Sequence, residues 1–165
     1  MTLFWCANGP MATTAASAAV TTGATIKTML QIATPATKQI EVVKWGLDFP
    51  TPPTAPLLAE LVETGAIAAT VTAHVAAGVQ PYNNPDAPAS LMTLGTTATG
   101  YTSSGEGAIV ATRYADIETI PIGVGSYTWE WSLGREFVVG ESRFLRVRMT
   151  TAIAVNAVCW VVWNE

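Results

Sequence analysis

Acid–base and thiol chemistry in this 165-residue chain would draw first on one histidine, two cysteines and twelve carboxylates. His74 sits in the run AATVTAHV with no acid close in sequence. A nucleophile triad needs a histidine that is itself held by an acid, so His74 reads as a packed or surface strand residue. Ser103-Ser104-Gly105-Glu106 has the look of an active turn, but the nucleophile-elbow pattern G-x-S-x-G, the Walker A loop and GxGxxG are all absent. Asp116 paired with Glu118, or with Glu130, could in principle flank a glycosidic bond. The competing reading, a solvated strand face, is the expectation. Cys6 and Cys159 could tie the N-terminal segment to the last strand as a disulfide; two buried thiols are expected instead. Two cysteines and one histidine cannot supply the four ligands of a structural zinc site. No catalytic residue, metal or cofactor is expected, and the chain is read as non-enzymatic.

Aromatic and basic residues invite binding rather than catalysis. Tyr127, Trp129 and Trp131 alternate with Thr128 and Glu130, which puts three rings on one strand face. They could form a sugar-stacking platform, or fill a core opposite Trp45 or Trp163; the core is the expectation. Arg143, Arg146 and Arg148, close in sequence to Glu130, Glu136 and Glu141, read as an ion-paired outer face or as interface charges that set register between subunits.

The elements that would position these residues are strands. Phe144–Trp163 holds two period-2 runs: Leu145, Val147 and Met149 oppose Arg146 and Arg148, then Val155, Ala157, Cys159, Val161 and Trp163 oppose Asn156, Val158, Trp160 and Val162. The two are read as a strand pair. The last strand, apolar on both faces, is read as central in a covered sheet. Thr25–Ala33 and Gln39–Phe49 are further strands. In the second, the phase changes near Val42–Val43, which predicts a bulge, and Gly46 is expected to leave room for a neighbouring ring. Leu57–Thr64 reads as a strand, with a helix as the alternative. Ala68–Val75, Gly107–Ile122, Ser126–Leu133 and the short Phe137–Val139 follow, and Gly78–Gly105 reads as one long irregular loop suited to a protein partner. About eight strands between Pro/Gly loops predict an all-β fold: a single β-sandwich over 25–165, jelly-roll-like or immunoglobulin-like in strand order, with the jelly roll expected. Residues 1–24 carry no charge and read as an extended N-terminal arm that orders against protein.

Half of the residues are hydrophobic and only 12% charged, which is unlike a disordered chain. A net charge of −4 with scattered basic residues argues against direct nucleic-acid binding. No apolar run approaches a membrane span, and no signal peptide is recognisable, so synthesis in a cytoplasm is expected.

Thr22–Phe49, Asn83–Gly107 and Leu133–Glu165 resemble a family of small proteins of tailed bacteriophages, many infecting actinobacteria. The resemblance covers most of the chain beyond residue 20 and lies in whole segments, not in a catalytic signature. It implies a virion structural protein: first a capsid decoration (cement) protein bound to the major capsid protein on the outer surface of the head, second a tail-associated or carbohydrate-binding adsorption protein. A homotrimer is expected. The candidate interface residues are Leu3, Phe4, Trp5, Tyr82, Asn83, Asn84, Arg146, Arg148 and Trp160.

Overall fold

A computed structural model describes residues 2–11, 16–108 and 112–165. Its strands are β1 Leu3–Ala7, β2 Val20–Thr21, β3 Lys27–Ala33, β4 Ile40–Asp48, β5 Leu57–Thr64, β6 Thr70–Ala73, β7 Gln80–Pro81, β8 Gly100–Gly105, β9 Thr112–Ile120, β10 Ser126–Glu130, β11 Phe137–Val139, β12 Phe144–Thr151 and β13 Asn156–Asn164. One short 3-10 turn, Ala76–Gly78, is the only helical element among the described residues. The strands form two antiparallel sheets, one ordered β10-β4-β13-β1-β7 with β11 beside β4 and β2 beside β13, the other β6-β8-β3-β12-β5-β9. This is the expected all-β sandwich. Leu57–Thr64 is a strand, since Leu57, Ala59 and Leu61 enter the core at alternate positions.

The core fills the space between the sheets. Leu30, Ile32, Leu61, Leu145, Val147 and Met149 come from one side; Phe4, Trp45, Leu47, Cys159, Val161 and Trp163 come from the other. Burial of such side chains contributes about 1.5–3 kcal/mol each, the main term that opposes chain entropy. Cys6 and Cys159 are both buried free thiols on β1 and β13, and burial pushes both thiol pKa values up. The bulge predicted in the second long strand is present. Trp163 pairs with Val42 and Val162 with Lys44, leaving Val43 as the extra residue.

Several expectations change. β12 and β13 are not a hydrogen-bonded pair: β12 lies between β3 and β5, β13 between β4 and β1, and the two face each other across the core. Alternation assigns faces to a strand and is silent about its neighbours. Leu3–Ala7 is not an arm. It pairs along Leu3↔Asn164 to Ala7↔Trp160, with Phe4 and Cys6 buried. The segment 78–105 is not irregular throughout, because it supplies β7 and β8.

Arg146 and Arg148 do point away from the core, as their alternation predicts, but neither reaches solvent. Two loops bind Arg146, and a neighbouring strand supplies the partner of Arg148. The Arg146 guanidinium donates to the Ile67 carbonyl and, at 2.9 Å, to the Glu106 carbonyl, with the Glu106 carboxylate 3.9 Å away. Glu106 also accepts the Thr28 backbone N–H at 2.6 Å. Arg148 pairs with Glu60 at 3.2 Å, both buried.

Candidate functional site

β13 projects alternate residues to the outside of the seven-stranded sheet, and its neighbours add to the same face. Trp160 lies opposite Gly46 and Ala7; Val162 lies opposite Lys44 and Trp5; Asn164 lies opposite Glu41 and Leu3. The centre of this face is therefore Trp5, Trp160 and Val162. Lys44, Glu41, Asp48 and Asn164 form its rim, and Thr128 and Glu130 extend it onto β10. Val162 is fully buried although it faces outward.

Local geometry explains how a half-buried tryptophan fits here. A Cβ at Gly46 would overlap the Trp160 ring and come 3.0 Å from the Tyr127 carbonyl oxygen, so glycine is what lets the ring lie flat on β4. The Trp160 Nε1–H donates to Asp48 at 3.3 Å. The Lys44 ammonium donates to the Tyr82 hydroxyl at 2.8 Å and sits 4.8 Å from that ring. Tyr82 is held by its own N–H, which donates to the Leu3 carbonyl at 2.7 Å, while the Asn83 side chain accepts the Leu3 N–H at 2.9 Å. Beside Trp5, a cavity of about 220 Å³ opens between Ala7, Pro10, Met11, Gly78 and Gln80.

Of the nine candidate interface residues, the structure brings Leu3, Trp5, Tyr82, Asn83 and Trp160 together around this face. Asn84 lies next to it, in a turn where its side chain accepts the Asp86 N–H at 3.1 Å. Phe4 does not belong, because it is stacked on Trp163 in the core at 6.2 Å. Arg146 and Arg148 do not belong either, since they are buried on the other sheet. Lys44 and Val162 were missed. The phase change at Val43 was their signal: it turns Lys44 outward, beside Val162.

Of the remaining chemistry candidates, Asp116 and His74 are tied into the fold by their hydrogen bonds. Asp116 is no solvated carboxylate. Its side chain accepts Trp45 Nε1–H at 3.0 Å, the Tyr127 hydroxyl at 2.7 Å and the Ile117 N–H at 2.8 Å, which staples edge strand β9 to the opposite sheet. Burial and this bond to Asp116 raise the Tyr127 pKa. Tyr127 and Trp131 pack against the core, but Trp129 is 47% exposed and is not a core ring, because β10 is an edge strand. His74 is buried, with Nε2 2.8 Å from the Ala7 carbonyl and its ring 4.8 Å from Tyr101. Among the described residues, no group of three or more His, Cys, Asp or Glu could hold a metal ion, and no helix is long and apolar enough to cross a membrane. No protein-family model, curated protein or solved structure matches the chain.

Proposed function

We propose that this chain is a non-enzymatic structural protein of a bacteriophage virion, a decoration protein that binds the major capsid protein on the outer surface of the head and stabilises the shell. The observation that carries this reading is the outer face of the seven-stranded sheet, an aromatic and aliphatic centre inside a charged and polar rim. Protein interfaces share that anatomy, with Trp, Tyr and Arg anchors at the centre and hydrogen-bonding groups around them. The strand order supports the jelly-roll form of the sandwich. The eight principal strands run β1-β13-β4-β10 in one sheet and β3-β12-β5-β9 in the other, the arrangement produced by two interlocked Greek keys. The protein works as a homo-oligomer, a trimer in this reading, with no nucleic acid or membrane partner.

The test is shell stability. Heads stripped of accessory proteins are heated with increasing amounts of the purified protein. A saturable rise in rupture temperature is expected, because a ligand that binds only the intact shell stabilises it by mass action. An unchanged rupture temperature at saturating protein contradicts the proposal. A second reading, an adsorption protein that binds a glycan, is favoured by one observation, the exposed Trp129 on β10. It predicts glycan affinity that Trp129→Ala abolishes without unfolding the domain.

A further inference from the structure

Two short strands lie end to end along one edge of β13. Leu3–Ala7 pairs with Trp160–Asn164, and the Asn8 N–H continues the ladder by donating to the Cys159 carbonyl at 3.0 Å. Val20 then pairs with Ala157 and Thr21 with Asn156. Asn8 lies opposite Cys159 and Val20 opposite Ala157, so a single residue would join them into one continuous strand. The chain has eleven there, residues 9–19. The ends of this excursion nearly meet: a Cβ on Gly9 would stand 3.6 Å from the Ala18 carbonyl oxygen. The Asn8 side chain closes the break, donating to the Ala157 carbonyl and accepting the Cys159 N–H, each at 3.0 Å.

We infer that β1 is an exchangeable strand, and that in the oligomer the slot beside β13 is filled by β1 of a second copy of this chain. This inference rests on the oligomeric part of the proposed function. One residue is enough to close the strand on its own sheet, and the sequence carries ten more. Eleven residues, when extended, reach roughly 36–40 Å. A domain of this length has a radius of gyration of about 15 Å, so that reach spans a neighbouring copy. Every contact of the slot is kept on exchange, because the incoming strand is identical: Phe4 stacks on a Trp163 and Cys6 enters a core in either form. Nothing before Lys27 carries a charged side chain, so release of the strand breaks no side-chain ion pair.

Two arms test this on the full chain in isolation, without capsids, so their failure is separable from failure of shell binding. In the first, light scattering compares the whole chain with a variant lacking residues 10–19. The inference expects the whole chain to be oligomeric and the shortened one, with Gly9 opposite Val158, to be a folded monomer. Equal subunit numbers in both overturn it. In the second, which holds even if the shortened chain does not fold, Leu3→Cys and Asn164→Cys chains are refolded together and oxidised with a disulfide reagent. Leu3 and Asn164 are register partners. A disulfide-linked pair of one chain of each kind is expected; absence of that mixed product overturns the inference.

Discussion

Asn8 is buried and uses its side-chain amide as a piece of backbone, giving one bond and taking one where the strand leaves the sheet. Asn8→Asp keeps the shape, but its ionised carboxylate cannot donate to the Ala157 carbonyl and faces that oxygen with negative charge. A buried acceptor left unpaired costs about 1–3 kcal/mol, and the urea midpoint should fall accordingly. Gly46→Ala meets the Trp160 ring and should cost about 1–3 kcal/mol by overpacking, with a change in tryptophan fluorescence as the ring lifts. His74 gives the pH dependence. Burial lowers its pKa below the ordinary 6.5, partly offset by its bond to the Ala7 carbonyl. Between the two values the unfolded chain holds more protons than the folded one. The contribution of His74 is therefore complete above pH 6.5 and is lost as pH falls through the lowered folded value. Unfolding midpoints at about pH 7.5 and about pH 5.5 should differ more in the wild type than in His74→Gln, and equal differences would contradict this. The room that Gly46 leaves for a ring was legible in the sequence because it follows from local pattern, whereas that pattern left His74 open between packed and surface. Asn8 was not legible, since its partners are some 150 positions away.

At the scale of elements, the outer face of the six-stranded sheet depends on Arg146. Its guanidinium holds the loops that carry Ile67 and Glu106 onto β12. Arg146→Ala leaves the Ile67 and Glu106 carbonyls without their donor and should cost about 1–3 kcal/mol for each. Arg146→Lys should recover only part of that, because an ammonium lacks the planar fork that serves two carbonyls at once. Denaturant titration of both variants checks the order. The sequence showed that Arg146 and Arg148 leave the core face; it did not show that distant loops would bind Arg146 or that Glu60 would bury Arg148. Strand existence and the Val43 bulge were readable for the same reason, since both are periodicities within one segment. Which strands are neighbours was not, and so β12 and β13 were read as partners. The N-terminal strand was hidden because its excursion splits it into pieces of five and two residues, too short to show alternation.

The whole molecule is a sandwich whose two outer faces differ. One holds two buried arginines, Arg146 under the loops that carry Ile67 and Glu106 and Arg148 paired with Glu60; the other presents Trp5 and Trp160 beside a cavity and a Lys44–Tyr82 contact. In the proposed function this second face binds the capsid. Co-sedimentation with stripped heads tests it most directly, using the wild type and Trp160→Ala, which opens the centre of the face and leaves the core-facing residues of β13 in place. Saturable binding at a fixed ratio to the major capsid protein, weakened at least tenfold by the substitution (about 1.4 kcal/mol, within the range of an interface anchor), is the predicted result. Wild-type protein that stays in the supernatant, or a folded Trp160→Ala that binds as tightly as the wild type, would contradict it.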